Sequence, residues 1–206
     1  MKKDYKISLK TIGLSFIACS ILASCASTTP TRERTEGYRI YDLKEVSSLS
    51  SLTSSLKKSL QTNSDKAVFT NNLPPHPLPE KPGRFQVVNP FANSNMGALM
   101  AAQGGGIRVP KCDKSPFTGM TQDNFDGSEN TTFFVCLQPY VEGYHMDIYY
   151  AFTKVSGGFS PEALGKSLAQ SVAGDSSQFI PRTIADLEKA AQNSGAKVKL
   201  IESYPN

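Results

Sequence analysis

The chain has 206 residues, of which 39% are hydrophobic and 19% charged. That is enough apolar material for one core, and too small for a multidomain machine. The formal charge is +4, but Lys2, Lys3, Lys6 and Lys10 lie against Asp4 alone at the start, so the remainder is close to neutral and a dedicated nucleic-acid partner is excluded. Residues 1–10 form a basic n-region. Residues 11–24 form an apolar h-region containing Ile12, Leu14, Phe16, Ile17, Ile21 and Leu22. That run is shorter than the roughly 20 residues needed to span a bilayer, which predicts a cleaved export signal over 1–24.

The h-region ends in Leu22-Ala23-Ser24-Cys25, with small residues at the two positions before the cysteine. This resembles the lipobox of bacterial lipoproteins. The resemblance covers the signal and its cleavage site only, and the mature region resembles no recognised family. It implies a diacylglycerol thioether on Cys25, cleavage before that residue and acylation of the new amino terminus. Several acyl chains, at roughly 0.8 kcal/mol per buried methylene, would make attachment to the membrane permanent. Ala26 stands where lipoproteins retained at the inner membrane often carry aspartate, which implies anchoring in the outer membrane, facing the periplasm or the cell surface. Cys19 leaves with the signal. Residues 25–36 lack apolar periodicity and are expected to be a flexible tether, able to lift the domain roughly 30 to 35 Å from the lipid.

A single domain is expected over 37–206. Residues 38–43 read as a strand, and Val46, Leu49, Leu52, Leu56 and Leu60 as the apolar stripe of a helix over 46–61. Residues 66–70 suggest a short strand. The proline-rich stretch 73–83 suits polyproline II as a rigid connector, with a docking ligand as the less common use. Residues 84–89 read as a strand and 96–102 as a small apolar helix. The glycines at 104–106 lack the following Lys-Ser/Thr of a phosphate loop. The segment 93–106 reads as an apolar flap for a partner or lipid. Residues 123–129 resemble half of a calcium loop but place Gln122 and Phe133 where carboxylates are required, so an acidic turn is expected there and no metal site is assigned. Asn130-Thr131-Thr132 fits a glycosylation triplet, to which a bacterial protein gives little weight.

Cys112 and Cys136 remain after lipidation, and an oxidising compartment favours their pairing over a metal or catalytic role, for which no CxxC spacing exists. Residues 133–141 and 144–155 read as a hairpin turning at Glu142-Gly143, which pairs Val135 with Tyr150 and Leu137 with Ile148 on a core face. The opposite face carries Tyr140, His145, Asp147 and Tyr149. It is the candidate binding face for a ligand or envelope protein, expected to be half-exposed. Asp147, two residues from His145 on the same side, could orient the imidazole as in acid–base chemistry, but no nucleophile accompanies the pair and no catalytic residue or cofactor is assigned. Two helices, over 160–174 and from Pro181 to Gly195, and a final edge strand with outward Lys197 and Lys199 complete the order. The expected fold is α+β, a mostly antiparallel sheet with helices on one face. The expected function is a membrane-anchored binding or scaffold module. An envelope hydrolase using His145 and Asp147, or a purely structural envelope protein, are the alternatives.

Overall fold

The computed structural model describes residues 31–64, 66–102, 107–125, 129–156 and 176–205. The signal, Cys25, the expected helix over 160–174 and residues 126–128 of the expected acidic turn lie outside them, while 123–125 and 129 are strand and not turn. The fold is α+β, as expected. A six-stranded antiparallel sheet is built from β1 (Thr31–Lys44), β2 (Ala67–Asn71), β5 (Phe117–Phe125), β6 (Glu129–Tyr140), β7 (Gly143–Ser156) and β8 (Lys197–Tyr204), in the order β2-β5-β6-β7-β1-β8. A separate ribbon pairs β3 (Gln86–Val88) with β4 (Val109–Lys111). The helices are α1 (Leu49–Asn63), α2 (Asn95–Ala102) and α3 (Ser176–Asn193).

Helices α1 and α3 cover one face of the sheet. Leu52, Leu56 and Leu60 of the expected stripe are fully buried with Leu187 and Ala191 of α3 against Phe133, Val135, Leu137, Met146 and Ile148. Helix α1 starts at Leu49 and not at 46 because Ser48 caps it, its hydroxyl accepting from Ser51 N at 3.2 Å. Helix α3 starts upstream of Pro181, which therefore lies within it, because Phe179 and Ile180 are drawn into the core and Phe179 meets Phe133 edge-on at 6.4 Å. Strand β8 is at a sheet edge, as its alternating lysines predict.

Two expectations need correction. The tether does not reach residue 36: β1 is a strand from Thr31, its first residues laddered to β7 as far as Thr31 opposite Ser156. The polar side chains there gave no apolar signal, and backbone pairing supplies the order. The hairpin turns at Val141-Glu142, so Tyr140 opposes Gly143, Val135 opposes Ile148 and Phe133 opposes Tyr150. The register is shifted by two residues from the expected one, which keeps every side chain on its expected face because strand alternation has a period of two. Gly143 belongs to the strand for a steric reason. It sits at φ +154, and a Cβ there would collide with the carbonyl oxygen of Leu43 on β1.

Candidate functional site

Tyr140, His145, Asp147 and Tyr149 do lie on one face of β6 and β7, but that face is not half-exposed. Tyr140 retains 7% of its accessible surface, Tyr149 2% and Asp147 none. The covering layer is the long excursion between β2 and β5. Its Phe85, Val87 and Cys112 pack with Met120 on Phe134, Cys136, Tyr149 and Ala151. The ring of Phe85 is 5.6 Å from Tyr149 and 5.5 Å from Tyr38 of β1. The Cys112–Cys136 disulfide, expected from the two cysteines left after lipidation in an oxidising compartment, ties this strap to the centre of the sheet. Periodicity had no means of revealing the cover, since prolines and short strands mark a connector without saying where it lies.

The polar groups under and beside the strap form three clusters. In the first, Asp42 of β1 collects the others: the Tyr140 hydroxyl donates to its Oδ1 at 2.6 Å, and His145 Nε2 lies 3.9 Å from the same oxygen. The His145 and Tyr140 rings meet edge-on at 5.5 Å. Lys44 closes the cluster, 3.7 Å from Asp42 Oδ2, above the Tyr140 ring at 4.7 Å and paired with Glu142. Burial lowers the His145 pKa below its ordinary value, partly opposed by Asp42, so the imidazole is neutral at pH 7.

Asp147 forms the second cluster. Its Oδ2 accepts from the Phe85 amide at 2.8 Å, while its Oδ1 has no hydrogen-bond partner among the described residues. Desolvation pushes its pKa up to about 6, against the pull of the Phe85 amide and Arg84. In the third, Arg84 grips Glu202 of β8 through its two terminal guanidinium nitrogens at 2.5 and 3.0 Å, and the Tyr38 hydroxyl donates to Glu202 at 2.6 Å. Those donors hold the Glu202 carboxyl down at about 2. Further along β1, Arg34 donates to the Tyr149 hydroxyl at 3.3 Å.

The expected His145–Asp147 couple is therefore not made. Asp147 turns to the strap's backbone, and the carboxylate beside His145 is Asp42, which the sequence reading missed. The alternation of Tyr38, Ile40 and Asp42 was a usable signal for the face, but nothing local told that β1 lies beside β7. Among the described residues no group of three or more His, Cys, Asp or Glu is placed to hold a metal ion. Open space lies elsewhere. A depression of about 310 Å³ is lined by Pro75, Pro77, Pro79, Pro82, Lys81 and Gln138, among others. A groove of about 370 Å³ between α1 and α3 is lined by residues including Lys58, Asn63, Asp186 and Lys189. None of the four expected face residues lines either.

Compared with known protein families and with curated proteins, the chain matches none.

Proposed function

We propose that the chain is a bacterial lipoprotein, exported by its first 24 residues, anchored through lipid on Cys25 in the outer membrane facing the periplasm, and carrying a non-enzymatic scaffold or binding domain. The observation that carries the non-enzymatic half is the strap: among the described residues Asp147 is buried and bonded to the Phe85 amide, His145 lies beside Asp42, and neither lines the depression or the groove described above. The disulfide that staples the strap suits an oxidising envelope compartment. Among the described residues no helix is long and apolar enough to cross a membrane. The proline-lined depression beside Gln138 replaces the buried face as the surface offered to an envelope protein.

Anchoring is tested by Cys25→Ala with fractionation and intact mass. The expected result is loss of the acyl mass and release from the membrane fraction; a membrane-bound, acylated variant overturns the assignment. Photo-crosslinking in cells from position Lys81 tests binding. A defined protein adduct is expected, and its absence favours a purely structural envelope protein.

A further inference from the structure

The strap carries an apolar lobe whose place along β1 is fixed by side-chain contacts. The ribbon starts beside the middle of β1, where Phe85 meets Tyr38. It ends beside the start of β1, where Arg108 pairs with Glu36 at 3.1 Å and its carbonyl accepts from Arg34 at 3.4 Å. The ribbon therefore runs along β1 toward Thr31, and the lobe it carries projects at the end of the sheet from which the chain leaves for Cys25. Residues 26–30 are all that separates Cys25 from the strand, and extended at about 3.3 to 3.6 Å per residue they hold this end within roughly 20 Å of the lipid.

The lobe is built for an apolar medium. Residues 89–102 contain no Asp, Glu, Lys or Arg, and α2 has no polar face beyond its first residue. Met96 is 52% exposed, Leu99 56% and Phe91 39%. Ile107 and Val109 add exposed apolar surface at the lobe's base. Beneath the apolar tip lie Arg34 and Arg108, both partly exposed and sharing Glu36. Two guanidiniums for one carboxylate leave a net positive collar, and apolar tip followed by basic collar is the order of groups that a lipid interface presents in reverse, acyl chains under phosphates.

We propose that Phe91, α2 and Ile107 insert into the headgroup–acyl boundary of the leaflet that holds the Cys25 lipid, with Arg34 and Arg108 at the phosphates. The inference rests on the anchoring reading. It makes the domain a body seated on the membrane at two places, the lipid and the lobe, with the proline-lined depression beside Gln138, toward the Asp42 end of β1, left to the aqueous side.

The chain has no tryptophan, so a single introduced one reports its own surroundings. Full-length protein is produced with its signal, extracted and reconstituted into vesicles of phosphatidylethanolamine and phosphatidylglycerol with brominated acyl chains. Leu99→Trp and Met96→Trp are compared with Val68→Trp, an exposed site on the far edge strand β2. The lobe tryptophans should shift to shorter wavelength and be quenched about two-fold or more beyond the control, since interfacial helices sit about 5 to 10 Å into the boundary. Equal quenching at all three positions in protein whose mass includes the lipid overturns the docking while leaving the anchor intact. A blue shift without quenching means that protein, a second copy included, covers the lobe, and also overturns it. Absence of lipid on Cys25 overturns the anchoring reading and this one with it.

Discussion

Asp147 is a fully buried carboxyl with one oxygen unpartnered among the described residues. In the unfolded chain it titrates near 3.8, and in the fold at about 6, so the native state holds the extra proton between about pH 4 and 6. A raised carboxyl pKa means that stability is highest below that window and declines as pH rises through it. Replacing Asp147 with Asn keeps an oxygen for the Phe85 amide and removes the charge. The variant is expected to be more stable at pH 7, by on the order of 2 kcal/mol, with a flatter pH dependence from 4 to 6 in urea titrations. Glu202 has the opposite sign: held down by Arg84 and Tyr38, it stabilises above its ordinary range, and the contribution is lost as pH falls toward about 2. Its head is exposed, so that loss is small. Gly143→Ala is expected to cost about 2 kcal/mol or more, because the Cβ would strike the Leu43 carbonyl and the backbone of two paired strands must shift. A thermal melt beside a control alanine on the exposed turn at Glu142 checks it. At this scale the sequence was a partial guide: alternation placed Tyr140, His145, Asp147 and Tyr149 on one face, while Asp42 and Glu202 came to that face through pairings that no local pattern encodes.

Among the elements, those with strong periodicity were legible and those held by their neighbours were not. The leucines of α1 and the two long strands β6 and β7 announce themselves; β5 does not. Its sequence includes Gly119, Asp123 and Asn124, poor strand formers, yet it lies between β2 and β6 in the sheet. At Gly119 a Cβ would come within 2.6 Å of Leu60 Cδ1, so the leucine side chain would have to shift to admit one. The turn at Val141-Glu142 illustrates a different ambiguity. A glycine near a hairpin tip suggests the turn itself, and here it serves the strand's approach to β1. For the strap, Cys112→Ala combined with Cys136→Ala is expected to lower stability by about 3 kcal/mol, the loop-closure value for a separation of 24 residues. Hydrogen exchange should locate the effect, with the Phe85 amide losing protection before α1 does. Leu56→Ala, by contrast, is expected to cost about 2 to 5 kcal/mol without altering exchange in the strap selectively.

The whole molecule is a sheet with unlike covers: helices over an aliphatic core on one side, and on the other a proline-rich strap pinned by a disulfide, a buried carboxylate and an arginine clamp. Fold class followed from element order. The second cover did not, because a segment of short strands and prolines carries no signal for what it rests on. The place of β1 has a mechanical meaning. Whatever grips the chain near Cys25 pulls on Thr31, and β1 is an inner strand, laddered antiparallel to β7 on one side and to β8 on the other. Tension along that strand loads both ladders in shear, so many hydrogen bonds resist together instead of peeling one after another. A sheet pulled by its outermost strand can unzip bond by bond; a pull at Thr31 acts on a strand paired on both sides.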